Sequence, residues 1–445
     1  MKTLDHIPTS KVSRATKLIV TGARVGVNYL NYYKNKITDT EEAARKKLHE
    51  DNASDIYDSL SNLKGSALKV AQMLSMDKSL LPQQYVEKFS LSQFSVPPLS
   101  APLVNRTFQR YFGMAPSEMY DYFEEESVNA ASIGQVHKAR KDGRLLAVKI
   151  QYPGVAASIS SDLKMVKPIA IRMFNIQGKD SDKYFKEVED KLLEETDYLL
   201  EVKQSMEIAA SCSHIPHLRF PRYYPQWSSG RIITMDFMEG IHLSEFSMQN
   251  DDAKLADKIG QALWNFYMFQ IHRLRKVHAD PHPGNFMVSK DGELIALDFG
   301  CMKIIPVAFY NPYFELLNNS VLNTPELFDQ KIRELEIIKP DDTDEERAFF
   351  TELFHEMISL FTTPLKCKKF DFSDPVFFDK IYALAERFNT DSRIRKLNTN
   401  RGSKHFIYMN RTFFGLYSLM HDLGAKDVQI DLYFPDELKA AVASV

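Results

Sequence analysis

The stretch that decides the fold is HADPHPGN at residues 278–285, followed by LDFG at residues 297–300. Asn285 follows Asp280 by five positions, and Asp298 follows Asn285 by thirteen. Mg²⁺ prefers hard oxygen ligands and commonly takes one or two carboxylates together with substrate phosphates. Asn285 and Asp298 carry such oxygens, and Asp280 is suited to orient an attacking hydroxyl or to accept its proton. The spacing therefore predicts a metal-assisted phosphoryl-transfer site.

The pattern D-x-x-x-x-N followed by D-F-G is typical of protein kinases, which use it for a catalytic Asp and for a metal-binding Asn and Asp. Two other interpretations are weaker. A zinc site formed by His278 and His282 needs a continuous helix, which Pro281 and Pro283 interrupt. A D-F-G at the end of a strand is common by chance, but the whole constellation at this spacing is not.

A phosphate-binding lysine is expected upstream of this loop. Lys149, in the sequence Ala-Val-Lys on a predicted strand, resembles the lysine of the third kinase strand, which contacts the α- and β-phosphates. Its partner should be an acid on the following helix, predicted at residues 184–210. Spacing alone does not choose among the acids of that helix, which include Glu194, Glu195, Asp197 and Glu201.

The nucleotide loop departs from the kinase pattern G-x-G-x-x-G, because residues 129–135 read NAASIGQ with a single glycine. Alanine does not adopt the φ > 0 conformations that glycine permits, so we expect a stiffer loop and an altered nucleotide preference. No Arg precedes Asp280 and no A-P-E follows Asp298, so the platform for a peptide substrate has no support in the sequence. The candidate nucleotide-binding residues are Ala130, Ala131, Ser132, Ile133, Gly134, Gln135, Lys149, Met235 and Phe237.

The order of the predicted elements indicates a helical extension, a small β-rich lobe and a larger helical lobe. Helical spacing covers residues 41–49 and 56–76, two strands are predicted at 128–139 and 145–151 with a turn at 141–144, and a long helix is predicted at 253–276. The predicted domains are a basic amphipathic arm at 1–40, a helical extension at 41–120, an N-lobe at 121–240 and a C-lobe at 241–445.

Composition excludes several classes of protein. With 445 residues, of which 44% are apolar and 26% charged, the chain can build two or three domains and is not disordered, collagen-like or a disulfide scaffold. A net charge of −3 gives no argument for nucleic-acid binding. Cys212, Cys301 and Cys367 form no CxxC pair, so we expect a reducing compartment and no structural zinc. Neither a transmembrane run nor a signal peptide is recognised, and a cytoplasmic protein is expected.

The N-terminal arm has its own character, because no acid lies between Asp5 and Asp39. Its basic residues alternate with apolar ones, which predicts an amphipathic helix that lies on an anionic membrane surface through residues 11–36. A solvated arm packed on its own domain is the alternative, since Gly22 and Gly26 weaken a helix. The basic residues are Lys11, Arg14, Lys17, Arg24, Lys34 and Lys36.

Together these motifs resemble the UbiB/AarF/ADCK family of atypical kinase-like proteins over roughly residues 60–305. The resemblance includes the KxGQ-like sequence KVAQ at 69–72, the Ala-rich loop, AVKIQYPGV at 147–155 and the ExD-like sequence ETD at 195–197, besides HADPHPGN and DFG. It implies an α+β, bilobal protein-kinase-like fold with an N-terminal helical extension packed over the active site.

Carried onto matching positions, the resemblance implies that Lys149 pairs with Glu201. It also implies that a regulatory set, Glu195 and Asp197 together with Lys69 and Gln72 of the extension, meets over the active site. Two positions depart from the family pattern: Ala71 stands where the motif has Gly, and Asn129 where the loop usually has its first Ala. The second departure puts the choice between ATP and ADP in question.

The resemblance implies a Mg²⁺-dependent protein that binds ATP or ADP, either an ATPase or a kinase of a small or lipid-like molecule. Its expected role is to support isoprenoid-quinone biosynthesis or lipid metabolism, with quinone-biosynthesis proteins as partners and a peripheral position on the inner face of a membrane. The alternative is a nucleotide-sensing pseudokinase scaffold without turnover. An ordinary protein kinase is the weakest interpretation.

Overall fold

The computed structural model describes residues 11–38, 40–63, 88, 98–130, 133–174, 181–390, 401–436 and 438–439. The chain divides into two compact units. The first unit comprises Met1–Val202, Arg222–Phe237 and Phe388–Thr399. The second unit comprises Lys203–Pro221, Met238–Arg387 and Asn400–Val445. Within the described residues, no helix combines the length and the apolar character needed to cross a membrane.

The first unit combines helices with one antiparallel sheet. Its helices are α1 (Lys11–Thr38), α2 (Glu41–Leu63), α3 (Ala101–Phe112), α4 (Pro116–Met119), α5 (Val155–Phe174), α6 (Ser181–Glu195) and the start of α7 (Tyr198–Cys212). Its strands are β1 (Tyr122–Ala130), β2 (Gly134–Lys141), β3 (Arg144–Gln151) and, after β4 of the second unit, β5 (Ile232–Asp236).

The sheet of the first unit has the strand order β1-β2-β3-β5, with every neighbour antiparallel. Side chains alternate between its two faces. On one face, Val148, Ile150 and Ile232 are buried with Phe108 of α3 in the main core of this unit. Lys149 belongs to the opposite face, which α7 contacts. The sheet thus separates the core from the candidate site.

The strands differ in part from the sequence-based prediction. The turn between β2 and β3 lies where it was predicted, with Asp142 (φ 52°) and Gly143 (φ 73°) in the left-handed region that an Asp-Gly hairpin uses. The single strand predicted at 128–139 was wrong, because the structure has two strands there, β1 and β2. The acidic run at residues 124–126 hid the start of β1, whose side chains are mostly exposed or half-buried.

Helices α1 and α2 pack against each other by polar contacts. Thr21 donates a hydrogen bond from Oγ1 to Ser59 Oγ at 2.6 Å. Asn28 Nδ2 donates to Asn52 Oδ1 at 3.1 Å and to Asp55 Oδ2 at 2.8 Å. The arm predicted at 1–40 is therefore helical from Lys11 and rests on α2 within the same unit.

The second unit is mostly helical. Its further helices are α8 (Leu243–Gln249), α9 (Ala253–Phe269), α10 (Val307–Glu315), α11 (Asn319–Asn323), α12 (Pro325–Glu334), α13 (Asp344–Phe361), α14 (Pro375–Thr390, whose last residues belong to the first unit) and α15 (Lys404–Asp422). Its strands are β4 (Leu218–Arg219), β6 (Ile241–His242), β7 (Lys276–His278), β8 (Phe286–Val288), β9 (Leu294–Ala296), β10 (Met302–Ile304), β11 (Lys369–Phe370) and β12 (Val428–Gln429).

Short strands of the second unit frame its chemistry-bearing loop. One sheet has the order β4-β9-β8-β6, and β7 pairs separately with β10. The helix predicted at 253–276 was too long: α9 ends at Phe269, a π-turn covers Gln270–Leu274, and β7 begins at Lys276. Lys276 pairs with Ile304 of β10, so the C-terminal end of the predicted helix forms a strand instead. Tertiary contacts often override local helix propensity in this way.

Candidate active site

The register of the first sheet sets which side chains share the face of Lys149. Lys149 pairs with Val136 of β2 and with Ile233 of β5, so these three side chains lie on one face. Two residues along the strands, Ala147 pairs with Met235, and both side chains lie on that same face. Met235 packs on a small cluster of buried residues made by Tyr198, Val202, Tyr223 and Ile233.

The structure brings together Lys149 and Glu201, the pair that the family resemblance implied. Lys149 Nζ lies 2.7 Å from Glu201 Oε1, and the two side chains are 18% and 4% exposed. Nζ also lies 5.1 Å from the centre of the Tyr198 ring, a distance at which an aromatic face attracts a cation. The ammonium group is therefore held by a carboxylate and an aromatic ring from one helix.

Glu201 reaches this position because the helix predicted at 184–210 is broken into α6 and α7. Asp197 starts α7 by accepting a hydrogen bond at Oδ1 from the Leu200 amide at 3.1 Å, as an N-cap does. Glu201 is then one turn into α7 and faces the sheet. Among the four candidate acids of this helix, Glu201 forms an ion pair with Lys149 at 2.7 Å.

The break itself is tied to the sheet by side chains. The carbonyl oxygen of Thr196 accepts hydrogen bonds from Gln151 Nε2 at 3.1 Å and from an Arg231 guanidinium nitrogen at 2.8 Å. The same guanidinium nitrogen contacts Gln151 Oε1. This network joins the ends of β3 and β5 to the start of α7. It holds the residues that carry Lys149 and Glu201 in one register, and sequence reasoning missed it because no two of its members are neighbours in the chain.

The single glycine of the nucleotide loop is required by packing. A Cβ atom at Gly134 would lie 2.7 Å from the carbonyl oxygen of Ile150 and 2.8 Å from the Tyr198 hydroxyl. Both distances are shorter than the contacts that Cβ atoms make in proteins. Tyr198 is fully buried, so it links this glycine to Lys149. Ala131 and Ser132 lie outside the described residues, and Ala130 ends β1. Ile133 accepts a hydrogen bond at its carbonyl oxygen from the Tyr152 amide.

Gln135 points away from Lys149, to the core face of the sheet. Its Oε1 accepts a hydrogen bond from the Leu99 amide at 2.6 Å, and its Nε2 lies 2.8 Å from His137 Nε2. His137 Nδ1 in turn lies 2.8 Å from the carbonyl oxygen of Glu124. The side chain of Gln135 is thus buried in a structural network. Nucleotide binding at Gln135 stays a prediction, and its backbone is the part that could make the contact.

Phe237 follows β5 and is bound to the sheet by its backbone. Its amide donates a hydrogen bond to the Leu145 carbonyl at 3.0 Å. Lys138 Nζ lies 4.7 Å from the centre of its ring, so a cation covers one ring face. Phe237, predicted to bind nucleotide, therefore lies beside a positively charged side chain.

In the second unit, hydrogen bonds to backbone carbonyl oxygens bring Asp280, Asn285 and the D-F-G segment together. The Asp280 carbonyl oxygen accepts from Asn285 Nδ2 at 2.9 Å, and the Asn285 carbonyl oxygen accepts from the Leu297 amide at 3.0 Å. The Ala279 amide donates to the Cys301 carbonyl at 2.9 Å. Residues on either side of Asp280 and Asp298 are thereby joined in one small region.

The D-F-G segment is fixed by its own contacts. Asp298 Oδ1 accepts a hydrogen bond from the Gly300 amide at 2.9 Å. Phe299 is buried, with its ring centre 5.9 Å from that of His278 and 6.2 Å from that of Phe266 on α9. The aromatic anchor holds the backbone beside Asp298.

The donor set of this loop fits Mg²⁺. The Asn285 amide nitrogen is turned to the Asp280 carbonyl, which leaves the amide oxygen as the atom to coordinate a metal, and Asp298 adds a carboxylate. An amide oxygen and one carboxylate, completed by phosphates and water, are typical Mg²⁺ ligands. In the part of the chain that the structure describes, no group of three or more His, Cys, Asp and Glu side chains is arranged for a metal. His278 ends β7 and His282 accepts a hydrogen bond from the Gly284 amide, so they lie on a strand and a loop and not on one helix.

Tyr267 of α9 lies under the loop, and sequence reasoning missed it. It is fully buried. Burial raises the pKa of the Tyr267 phenol well above its usual range, and the nearby Asp280 and Cys301 raise it further. The phenol therefore stays protonated beside Asp280. In the sequence, Tyr267 only occupies a position on the apolar face of a helix. An ordinary core residue would occupy the same kind of position, so nothing in the sequence set it apart.

The predicted regulatory set is placed only in part. Glu195 ends α6 and is half-buried, whereas Asp197 is exposed and caps α7. Lys69 and Gln72 lie outside the described residues. Their meeting with Glu195 and Asp197 stays a prediction.

Comparison with known proteins finds a matching family model and similar sequences. A family model described as the ABC1 atypical kinase-like domain matches residues 91–326. The chain is similar to the probable serine/threonine-protein kinase abkA of Dictyostelium discoideum, with 26% identity over 72% of this chain and 61% of the relative. It is also similar to the chloroplastic protein ACTIVITY OF BC1 COMPLEX KINASE 8 of Arabidopsis thaliana, with 28% identity over 61% of this chain and 36% of the relative. The chain thus spans less than two thirds of the length of either relative.

A solved structure is similar over nearly the whole chain. It is the complex of Rv3197 with erythromycin from Mycobacterium tuberculosis, with 25% identity and a TM-score of 0.59 over 91% of this chain and 98% of that one. The α+β, kinase-like fold predicted from the motifs is confirmed by this likeness and by the matched domain.

Proposed function

Because the chain belongs to the family of ABC1 atypical kinase-like proteins, we propose that it binds ATP or ADP with Mg²⁺ and catalyses phosphoryl transfer to water or to a small or lipid-like acceptor. The observation that carries the proposal is the buried contact of Lys149 with Glu201 at 2.7 Å. Taking a Lys and a Glu out of water is costly, so a pair that joins β3 to α7 with little exposure to water is better explained by binding phosphate than by stability.

Each residue has a role in the proposed reaction. Lys149, oriented by Glu201, binds phosphate oxygens of the nucleotide. Asn285 and Asp298 hold Mg²⁺, which when bound neutralises charge on the phosphates. The acceptor oxygen forms a bond to the γ-phosphorus while the bond to the leaving diphosphate oxygen breaks, and the acceptor proton goes to Asp280. With water as acceptor the products are ADP and phosphate.

Two observations support a peripheral place on an anionic membrane. Helix α1 exposes apolar side chains, with Val27, Leu30 and Tyr33 at 53%, 64% and 64% exposure. Arg24 and Lys34 are exposed on the same helix, and each basic residue near an anionic surface adds about 1 kcal/mol of attraction. Lys36 forms an ion pair with Glu41 at 2.9 Å and adds less.

The biological role is proposed from relatives. The motif resemblance to the UbiB/AarF/ADCK family, together with a plant relative named for the activity of the BC1 complex, supports a role in isoprenoid-quinone biosynthesis or lipid metabolism. Quinone-biosynthesis proteins or a lipid-like molecule are the proposed partners.

The test is phosphate release from ATP and Mg²⁺, with and without anionic liposomes, beside an Asp298→Asn control. We expect turnover that rises with liposomes and is lost in the variant. Equal release by both proteins under either condition would contradict an enzyme. If ATP then still raised the melting temperature of the wild type, a nucleotide-sensing scaffold would replace the enzyme, an outcome that the single glycine of the nucleotide loop favours.

A further inference from the structure

Helix α15 (Lys404–Asp422) lies beyond the residues that the family model matches, yet it contacts the loop that carries Asp280. The contact is made by Gly415 of α15 and Pro281 of the loop, both in the second unit. Glycine in the middle of a helix lowers helix stability relative to alanine. A glycine at this position therefore calls for a packing reason.

The reason is the absence of a Cβ atom. A Cβ at Gly415 would lie 2.3 Å from Pro281 Cγ, 3.2 Å from Pro281 Cβ and 3.1 Å from the Pro281 carbonyl oxygen. The first distance is far inside van der Waals contact, and the last involves backbone. The pyrrolidine ring is closed onto its own backbone nitrogen, so a change of pucker can move Cγ but not the Cβ atom or the carbonyl oxygen. A side chain at position 415 must therefore displace the helix or the loop.

The helix is the better anchored of the two. Leu416 and Tyr417, next to Gly415, are fully buried. Tyr417 donates a hydrogen bond to the Phe361 carbonyl at 2.9 Å, and Tyr313 donates to Asn410 Oδ1 at 2.8 Å. The loop should therefore yield before the helix does.

A shift of Pro281 is transmitted directly to the reacting groups. The Asp280 carbonyl oxygen is bonded to Pro281 through one peptide unit and accepts hydrogen bonds from the His282 amide at 2.8 Å and from Asn285 Nδ2 at 2.9 Å. Displacing the proline therefore moves Asp280 and Asn285 together. Reacting groups that are displaced by about 1 Å lose on the order of 10²-fold in rate.

We propose that Gly415 is a positioning residue for Asp280, and that α15 is a part of the active site that sets the place of the catalytic loop. The proposal rests on the proposed function for the role of Asp280. The contact of helix and loop is a separate matter, which can be measured without turnover.

The test compares Gly415→Ala with a matched variant, Gly260→Ala. Gly260 lies in the middle of α9, and a Cβ there would lie 2.7 Å from Ala425 Cβ, so both variants crowd a helix contact of the second unit. Only the first crowds the loop. For each variant we would measure kcat, KM for ATP, melting temperature, and hydrogen exchange of the amides in residues 276–286.

We expect Gly415→Ala to lower kcat by about 10²-fold with little change in KM for ATP, and to speed exchange in residues 276–286. Gly260→Ala should keep both kcat and the exchange of that segment, whatever its melting temperature. The loss caused by Gly415→Ala should shrink in a Pro281→Ala background, because the atom that clashes, Cγ, is gone. Such non-additivity is expected only of residues in contact.

Three results would overturn the inference: equal exchange of residues 276–286 in the two variants, equal kcat in the two variants, or the same loss with and without Pro281. Failure of the proposed function looks different. If the wild type and Asp298→Asn release phosphate equally, the enzyme is lost, and hydrogen exchange alone then decides whether Gly415 positions the loop.

Discussion

The two groups of chemistry-bearing residues are built in different ways. In the first unit, Lys149 and Glu201 are 52 positions apart and meet through side chains, with Tyr198 beside them and the Thr196 network behind them. In the second unit, Asp280, Asn285 and Asp298 lie within 19 positions, and backbone hydrogen bonds connect their neighbours. The first centre depends on tertiary packing and the second on local chain geometry.

The difference predicts how each centre responds to substitution. The Asp280 side chain can be replaced while the bonds to its backbone carbonyl persist, so chemistry should be lost with little cost in stability. A side chain of the Lys149 centre cannot be replaced without leaving a buried partner, so chemistry and stability should fall together. The following predictions test that contrast.

The largest effect that is confined to turnover is expected for Asp280→Asn. The variant keeps the backbone contacts of Asp280, whose carbonyl accepts the bonds from His282 and Asn285, but it cannot accept a proton. Turnover should fall about 10²- to 10⁴-fold, with the melting temperature unchanged. Phosphate release and thermal unfolding measure the two. A variant that melts much earlier would show that the carboxylate, and not the backbone, holds the loop.

The next effect is expected for Lys149→Met. Glu201, which is 4% exposed, loses its cation. Removing one partner of a buried ion pair costs about 3 to 5 kcal/mol. We expect the lower end of that range here, because the Lys149 side chain is 18% exposed. The free energy of unfolding from urea titration should fall accordingly, and turnover should be lost as well.

The double variant Lys149→Met with Glu201→Gln sharpens the result. Removing both charges should return most of the lost stability, whereas turnover should stay absent because the phosphate-binding cation is gone. A double variant as unstable as the single one would mean that Glu201 is held by groups other than Lys149.

The same contrast explains which parts of the site could be read from the sequence. The residues of the second centre are close in the chain, so their identities and spacing suffice to predict the loop. The partner of Lys149 could not be chosen by spacing among Glu194, Glu195, Asp197 and Glu201, because the choice depends on where α6 ends. Resemblance to a family indicated Glu201, but the physical reason for its contact with Lys149 is seen only in the folded structure.

Strand boundaries failed for a related reason. The start of β1 is acidic and does not look like a strand, but it pairs with β2. The sequence of β7 continues the helical pattern of α9, but β7 pairs with β10. In both places the pairing, and not the local sequence, determines the strand. Gln135 shows the same limit in the site itself. Its place in the nucleotide loop predicted a ligand contact, but alternation along β2 turns its side chain to Leu99 and His137.

The smallest effect concerns His137, which tests whether the first unit is held by buried side chains. Burial lowers the pKa of His137, and the Glu124 carbonyl and charge oppose this only in part. The chain of hydrogen bonds gives the reason at Nε2: Gln135 Oε1 is taken by the Leu99 amide, so Gln135 presents its NH₂ group to that nitrogen. A proton on Nε2 would place two donors face to face.

The sign of the pH dependence follows. The unfolded state takes up a proton near pH 6.5, whereas the folded state takes it up only at a lower pH. The contribution of His137 to stability is therefore complete above pH 6.5 and is lost as the pH falls from 6.5 through the folded pKa, at about 1.4 kcal/mol for each pKa unit of depression. Urea unfolding at pH 7 and pH 5 should show a smaller loss for His137→Gln than for the wild type, because other buried histidines contribute equally to both proteins. An equal loss would mean that the Gln135 amide flips, so that its oxygen accepts a hydrogen bond from protonated His137 Nε2. The Leu99 amide would then lose its acceptor. In that case other groups, and not His137, would cause the acid sensitivity of the first unit.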